Sequence, residues 1–227
     1  MTFGGVLLDV GGVFLVPDGA LIAPALAAAG VAVGTADFVR AHYQAMAAVD
    51  EGEPADDPYL FGYLGALDID DGERGLALEA FRALAAKPLI TLWQHRLGDS
   101  VDGMRRLAGL GLPLGIVSNS DGTVEEQLRR HRICQVGAGE GVEVLAITDS
   151  GVAGVAKPDP RVFAAAIAAV GLPPSEIAYV GDSVRYDVMG AEAAGMVPIH
   201  LDPFRMCRST HQHRHVRRVA ELADDAT

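Results

Sequence analysis

Five short apolar runs are spaced along the chain, each bounded by glycine, proline or polar residues. They cover residues 5–9, 113–118, 142–148, 177–181 and 197–201. Short runs that are apolar throughout are typical of strands buried on both faces. Stretches with helical periodicity separate most of these runs. The pattern therefore predicts an α/β fold, a doubly wound parallel sheet with helices on both faces.

Two helix starts can be placed from their boundary residues. Thr123 and Glu126 have the spacing of a capping box, which predicts a helix up to about residue 131. Asp159 followed by Pro160 predicts a second helix start, and Gly171 predicts its end. Both helices lie between predicted strands, as the alternating pattern requires.

The stretch from residue 17 to residue 93 has a different pattern. Helical periodicity is visible at residues 36–48, 59–67 and 73–86, an acidic loop spans residues 50–57, and no run has a clear strand pattern. An all-helical insertion between the first two strands of the sheet is therefore predicted.

The composition is that of an ordinary globular protein. Its 227 residues allow one sizeable core and a small accessory domain, and 50% of them are hydrophobic. A net charge of −12 argues against a nucleic-acid partner, which requires a positive surface. The apolar runs are too short to span a bilayer, and no Lys or Arg precedes Arg40. We therefore expect no membrane partner, no secretory signal and a cytoplasmic location.

Polar residues follow three of the predicted strands: Asp9, Ser118 and Asp182. Because ligands bind at the carboxyl ends of strands in open parallel sheets, these side chains are expected to converge. Lys157, just before a predicted helix, fits the same edge. It is one of two lysines in a chain with sixteen arginines. A compact ammonium suits a crowded site of phosphate and carboxylate groups better than a guanidinium.

Four fragments contain these residues and occur in a fixed order along the chain. They are LLDVGGV at 7–13, VSNS at 117–120, AKPDP at 156–160 and YVGDSVRYD at 179–187. Together they resemble the haloacid dehalogenase (HAD) superfamily, whose members are mostly magnesium-dependent phosphatases. The resemblance implies a Rossmann-like core formed by residues 1–16 and 94–227, with a small helical cap domain at residues 17–93.

The resemblance also implies roles for individual residues. Asp9 would attack phosphorus and form an aspartyl-phosphate that water then hydrolyses, and Lys157 would offset the negative charge between Asp9 and the phosphate. The substrate would be a small phosphomonoester, a phosphorylated metabolite. Its phosphoryl oxygens would be bound by Gly11, Gly12, Ser118 and Asn119.

A magnesium site is implied at the same place. It would be formed by Asp9, the backbone carbonyl of Gly11, Asp182 and Asp187. Asp182 would coordinate the ion directly or through water, and Asp187 would order both the water shell of the ion and Lys157. Mg²⁺ prefers such hard oxygen ligands and retains several waters, so this set is sufficient.

Gly11 departs from the phosphatase pattern, which has an Asp two residues after the nucleophile. That Asp protonates the leaving group, a contribution worth about 10²–10⁴-fold in rate. Its absence predicts that turnover falls steeply with leaving-group basicity, unless another group supplies the proton. His42, Glu51 and Asp18 are candidates that the sequence does not rank.

Two other functions remain open at this point. Hydrolysis of a 2-haloacid would use the same nucleophile and need no metal, so the acidic motif argues against it. A catalytically idle module that binds a phosphorylated ligand is supported by Gly11 alone.

Two further groups of side chains have more than one interpretation. The alternating His211, His213 and His215 could hold a metal ion or form a solvated basic tail. The aromatic residues of the insertion are interpreted as packing rather than as substrate contacts. They are Phe38, Tyr43, Tyr59, Phe61, Tyr63 and Trp93.

Overall fold

The computed structural model describes residues 3–34, 36–52 and 56–224. The strands in this part of the chain are β1 (Gly5–Leu8), β2 (Leu15–Val16), β3 (His95–Arg96), β4 (Leu114–Ser118), β5 (Cys134–Val136), β6 (Val142–Val144), β7 (Ala146–Asp149), β8 (Ile177–Gly181), β9 (Val197–Leu201) and β10 (Arg214–Val216). The α-helices are α1 (Gly19–Ala28), α2 (Phe38–Glu51), α3 (Pro58–Gly65), α4 (Arg74–Ala85), α5 (Leu89–Leu92), α6 (Gly98–Gly109), α7 (Val124–Arg130), α8 (Ser150–Ala153), α9 (Ala164–Val170) and α10 (Met189–Ala193).

Six of the strands form one parallel sheet in the order β10-β9-β8-β1-β4-β7. From β1 the chain builds outward through β4 and β7, then returns to the other side of β1 for β8, β9 and β10. Ligands bind at the carboxyl ends of the strands beside such a reversal. The predicted doubly wound α/β fold is confirmed.

The sheet is buried on both faces because its central strands are apolar at successive positions. Val6 and Leu8 pack in one cluster of buried side chains, and Leu7 packs in a second cluster on the opposite face. All three side chains are fully buried. Alternate residues of a strand point to opposite faces, so a continuous apolar run is what a sheet covered by helices on both sides requires.

The predicted strand at residues 142–148 is wrong in one respect, because the chain forms two strands there. Strand β6 pairs with β5 in a separate two-stranded sheet, whereas β7 forms the edge of the main sheet. Leu145 lies between them and donates its N–H to the carbonyl of Leu114. A run of apolar residues does not show that the chain changes partners partway along.

The predicted capping box at Thr123 is also not formed. The Thr123 hydroxyl instead donates to Asp121, 2.6 Å away, and the N–H of Val124 is satisfied by Asp149 from strand β7, at 3.1 Å. Glu126 pairs with Arg130 on the helix surface. A carboxylate distant in sequence therefore takes the place of the local cap. By contrast, Asp159 accepts the predicted hydrogen bond from Arg161, at 3.0 Å.

Helices α1 to α5 form the segment between β2 and β3, which pair in antiparallel register and were not predicted. The segment has its own buried cluster, in which Tyr63 and Phe81 stack with ring centroids 4.9 Å apart. The predicted acidic loop starts too early, because Asp50 lies in the last turn of α2. Residues 53–55 of that predicted loop lie outside the described residues.

None of the helices formed by the described residues combines the length and apolar character that a bilayer crossing requires.

Candidate active site

Three adjacent strands end at the same place in the sheet. Asp9 directly follows β1, Ser118 ends β4 and Asp182 directly follows β8. Strand register puts Leu8 opposite both Ile116 and Val180, so the three polar residues emerge at the same edge. The N–H of Asp9 also donates to the carbonyl of Val180, at 2.8 Å. The convergence expected from the sequence is present in the structure.

The turn after β1 depends on a glycine at position 12. Gly12 has a φ of +65°, in the left-handed region, and a Cβ there would lie 1.9 Å from Asp182 Oδ2. Both the conformation and the close approach therefore exclude a side chain. The neighbouring Gly11 is covered by an aromatic ring, since a Cβ at position 11 would lie 3.1 Å from Cζ3 of Trp93. Trp93 thus lies over the position at which the phosphatase pattern has an Asp.

Lys157 connects two of the predicted site carboxylates. Its Nζ lies 2.7 Å from Asp9 Oδ2 and 2.6 Å from Asp187 Oδ1, and all three side chains are buried. Tyr179 adds a third contact, with its hydroxyl 2.9 Å from Nζ. Burial acts to lower the pKa of Lys157, but the Asp187 and Asp9 carboxylates more than reverse this, and the net pKa lies above its ordinary value. The ammonium therefore remains charged.

The Asn119 side chain holds the backbone of Lys157 through two hydrogen bonds. Its Oδ1 accepts the N–H of Lys157 at 2.8 Å, and its Nδ2 donates to the carbonyl of Lys157 at 3.1 Å. Both ends of the amide are thus used to hold the backbone that carries the lysine. Asn119 and Ser118 do line the cavity described below, and Ser118 is itself buried.

Asp187 is carried by a π-helical turn, Val184–Val188, that begins just after Asp182. Its Oδ1 accepts from Lys157, and its Oδ2 accepts the N–H of Ser183 at 3.0 Å. Gly181 allows this packing, because a Cβ there would lie 2.1 Å from the Asp187 carboxyl carbon. Turns of this kind often occur at functional sites.

Asp182 is paired with a histidine from helix α2. Its Oδ2 lies 2.8 Å from His42 Nε2, and His42 Nδ1 lies 2.8 Å from the Tyr59 hydroxyl. His42 is 1% exposed, so this pair is shielded from solvent. Of the three proton-donor candidates, the structure favours His42. Asp18 caps helix α1 by accepting from Ala20, and Glu51 lines a different cavity.

Two further residues of helix α2 contact the site but were not predicted to do so. The Asp50 carboxylate accepts from the hydroxyl of Ser183 and from the N–H groups of Val184 and Arg185, at 2.7–2.9 Å. The Tyr43 hydroxyl donates to the carbonyl of Gly12 at 2.5 Å. Neither contact has a sequence signature, because each depends on how α2 packs against the sheet.

The carboxylates of Asp9, Asp182 and Asp187 fit a divalent cation. One oxygen of each lies within 4.8 Å of the others, and all three residues are buried. Burial, reinforced by the charges of Asp187 and Asp182 and opposed by Lys157, raises the pKa of Asp9 to about 7. One lysine therefore does not balance the negative charge of this cluster, and hard oxygen ligands with excess negative charge suit Mg²⁺.

These groups surround a cavity of about 350 Å³. The sheet contributes the polar side, including Asp9, Lys157 and Asp182. The helical segment contributes His42 and a largely apolar side formed by Met46, Tyr59, Leu89 and Trp93. Tyr59 and Trp93 were interpreted as packing residues, but both also face this cavity. Phe61 was interpreted in the same way and is 57% exposed.

Comparison with known proteins identifies the class to which this fold and site belong. A family model described as haloacid dehalogenase-like hydrolase matches residues 5–195. The chain therefore belongs to the haloacid dehalogenase-like hydrolases.

A curated relative adds an activity for comparison. Over 92 residues the chain is 38% identical to a phosphoserine phosphatase from Thermus thermophilus, a match that covers 40% of this chain and 34% of that protein. The chain thus aligns with less than half the length of this relative.

Solved structures show the same fold over the full length. A HAD phosphatase from Thermococcus onnurineus has a TM-score of 0.57 at 19% identity, covering 99% of this chain and 97% of that one. A 2-haloacid dehalogenase from Pseudomonas syringae has a TM-score of 0.57 at 18% identity, covering 99% and 98%. Because both activities occur on this fold, the fold does not choose between them.

The raised pKa of Asp9 predicts how stability depends on pH in the absence of divalent metal ions. Between the ordinary value of 3.8 and about 7, the folded protein retains a proton on Asp9 that the unfolded chain has lost. This contribution to stability is fully present below pH 3.8, the ordinary pKa, and is lost as the pH rises to about 7, the pKa in the folded protein. Asp9→Asn has no such proton to lose.

We therefore expect Asp9→Asn to gain stability relative to the wild-type protein as the pH is raised from about 5 to about 8. Urea unfolding of both proteins in a chelating buffer measures this difference at each pH. A difference in stability that is constant over this range, or that changes in the opposite direction, would show that the pKa of Asp9 is not raised in the folded protein.

Proposed function

We propose that this protein is a Mg²⁺-dependent phosphatase that hydrolyses a small phosphomonoester through an aspartyl-phosphate on Asp9. The observation that carries the proposal is the arrangement around Lys157. A buried ammonium contacts Asp9 at 2.7 Å, and two further buried carboxylates lie within reach of one cation. A phosphoryl group is an anion that requires this positive charge, and Asp9 is the carboxylate placed to attack it.

The reaction would proceed in two displacements. An oxygen of Asp9 attacks phosphorus and the bond from phosphorus to the leaving-group oxygen breaks, giving the alcohol and an aspartyl-phosphate. Water then attacks the same phosphorus, which releases inorganic phosphate and regenerates the carboxylate. Asp9 is held for attack because its Oδ1 accepts the N–H of Val10 at 2.7 Å while Oδ2 contacts Lys157. Dividing one difficult displacement into two lowers the barrier of each.

Asp9, Asp182 and Asp187 are the side chains that would hold Mg²⁺, together with the backbone carbonyl of Gly11. When bound, the ion would neutralise charge on the transferring phosphoryl group. Lys157 and Asp187 would remain paired beside it, since that contact is made within the protein itself.

We further infer that His42 donates the proton that Gly11 cannot supply. His42 lines the same cavity as Asp9, with Nδ1 held by Tyr59 and Nε2 beside Asp182. The proton on Nε2 is the one that would pass to the leaving-group oxygen, in place of its hydrogen bond to Asp182, and Nε2 would take a proton back from the attacking water in the second displacement. An imidazole beside a carboxylate is a common proton donor, and it returns to its neutral form after the transfer.

The helical segment at residues 17–93 is proposed to act as a cap domain over a core formed by residues 1–16 and 94–227. This proposal rests on three side chains of helix α2 that reach the core, namely His42, Tyr43 and Asp50. Other residues of the segment, Met46, Tyr59, Leu89 and Trp93, line the same cavity as Asp9. The segment would therefore select the substrate and exclude water from the reacting group.

The cavity itself restricts the substrate class. Of the described residues that line it, Lys157 is the one with a permanent positive charge, and it is already paired with two carboxylates. A second anionic group on the substrate would find no cation there. Leu89, Trp93 and Tyr59 instead favour a phosphomonoester with an uncharged, partly apolar leaving group.

The first test is a panel of phosphomonoesters assayed with Mg²⁺ and with a chelator. It should include aryl and alkyl phosphates, sugar 1-phosphates, acyl phosphates and phosphates that bear a second acid. We expect phosphate release that requires Mg²⁺, favours uncharged leaving groups and disappears in Asp9→Asn.

Two outcomes of this panel would overturn the proposal. Hydrolysis of a 2-haloacid that survives the chelator would assign the site to dehalogenation. No turnover of any phosphomonoester by metal-loaded protein would favour an idle module that only binds a phosphorylated ligand.

The second test concerns His42 and uses the leaving group as the probe. His42→Gln retains an N–H that can donate to Asp182 but cannot be protonated near neutral pH. We expect it to slow hydrolysis of an alkyl phosphate by about 10²–10⁴-fold, the usual contribution of general acid catalysis. Hydrolysis of nitrophenyl phosphate should be affected far less, because nitrophenolate leaves without a proton.

Tyr59→Phe is the matched control, since it removes one hydrogen bond to His42 but keeps the imidazole. Its rates should fall by similar factors on both substrates. Equal losses on both substrates in His42→Gln would show that His42 only positions Asp182 and is not the proton donor.

A further inference from the structure

Four metal-ligating side chains meet outside the cavity described above. They are His200 at the end of β9, Cys207 in the following loop, His213 just before β10, and His215 within β10. One ligand atom of each lies within 4.8 Å of the others. His200 is buried, Cys207 and His213 are half-buried, and His215 is exposed.

The backbone explains why these residues meet. Strands β9 and β10 are parallel, and their register places His215 directly opposite His200, with ring centroids 5.0 Å apart. His213 is two residues before His215, so it projects from the same side of the chain. Of the three histidines named from the sequence, His211 lies outside the group and pairs with Glu192 at 2.9 Å.

Asp202 brings Cys207 back to this group. Its carboxylate accepts the N–H of Met206 at 2.7 Å and that of Cys207 at 3.1 Å, and it lies 3.5 Å from His215 Nδ1. One buried carboxylate thus fixes the loop that carries the sulfur and also orients an imidazole. Partners of this kind hold the ligands in most protein metal sites.

The distances suit a tetrahedral ion. His200 Nδ1 lies 3.0 Å from His213 Nε2, and Cys207 Sγ lies 3.8 Å from the same nitrogen. Zn²⁺ binds imidazole nitrogen at about 2.0–2.1 Å and thiolate sulfur at about 2.3 Å, which separates tetrahedral ligands by about 3.3–3.6 Å. Both measured distances lie within about 0.4 Å of this range, and the other ligand atoms lie within 4.8 Å of one another.

We propose that His200, Cys207, His213 and His215 form a structural binding site for Zn²⁺ or a similar transition metal. Four protein ligands that include a thiolate close the coordination shell, as in structural rather than catalytic zinc sites. The nitrogen and sulfur ligands distinguish this site from the cluster of Asp9, Asp182 and Asp187, whose oxygen ligands suit Mg²⁺.

The site would also support the active site directly. His200 Nε2 lies 3.1 Å from the backbone carbonyl of Asp182, while its Nδ1 faces the other ligands. A metal on Nδ1 would leave the proton on Nε2, which then donates to that carbonyl. The ion would therefore help to hold Asp182, the residue that begins the acidic motif.

The test uses the full chain, stripped with a chelator, dialysed and then titrated with Co²⁺ in the presence of excess Mg²⁺. Cobalt replaces zinc in tetrahedral sites and reports its ligands by absorption. We expect one equivalent to bind with intense visible bands and a near-ultraviolet band from thiolate-to-cobalt charge transfer, and added Zn²⁺ to remove both.

Variants identify the ligands. Cys207→Ser should abolish the charge-transfer band. His213→Ala should weaken metal binding by more than 100-fold, because loss of a residue that only hydrogen-bonds to a ligand typically costs about 10–100-fold. His211→Ala is the matched control from the same tail and should bind like the wild-type protein. Circular dichroism confirms that each variant is folded.

The proposal is overturned if Co²⁺ gives only the weak bands of octahedral oxygen coordination. It is equally overturned if folded Cys207→Ser and His213→Ala proteins bind Co²⁺ and Zn²⁺ as tightly as the control. Neither result would bear on the proposed phosphatase activity, which is measured with Mg²⁺ and other variants.

Discussion

The buried Lys157 ammonium requires carboxylates as partners, and two different elements of the fold position one carboxylate each against it. Asp9 arrives from the end of β1 and Asp187 from the π-helical turn after β8, each within 2.7 Å of Nζ. Removing one partner of such a buried pair typically costs about 3–5 kcal/mol, because the remaining charge is left without compensation. Asn119 fixes the lysine backbone, and Tyr179 supplies the third polar contact. The position of the proposed nucleophile is thus a consequence of electrostatics within the core.

Helix α2 of the helical segment also contacts this group of charged side chains. Three carboxylates exceed the charge of one lysine, and the segment places His42 within hydrogen-bonding distance of one of them, Asp182. Asp50 accepts hydrogen bonds from two backbone N–H groups at the start of the turn that carries Asp187. The helical segment therefore also helps to fix the position of the Asp187 carboxylate. Helix α2 therefore links the proposed selection of substrate to the geometry of the acidic motif.

Residues whose position follows from the main chain could be predicted from sequence, and residues placed by packing could not. Asp9, Ser118 and Asp182 were predictable because each ends an apolar run and parallel strands end at one edge. The contacts of Asp50 and Tyr43 were not, since nothing in a helical pattern indicates which face meets another element. The predicted capping box of helix α7 was wrong for the same reason, because the carboxylate that accepts from the start of the helix is Asp149, which is remote from Thr123 in sequence. Cys207 has no sequence signature of a metal ligand, because metal-site spacings describe local motifs and one of the histidines beside it, His200, lies on β9.

The most direct measurement of the central claim is a crystal structure of the protein with Mg²⁺ and beryllofluoride, which mimics a phosphoryl group on a carboxylate. We expect beryllium bonded to an oxygen of Asp9, with Lys157 in contact with a fluorine and Mg²⁺ held by Asp9 and Asp182. Beryllofluoride bound away from Asp9, or a divalent ion bound without Asp182 while Lys157 faces elsewhere, would contradict it.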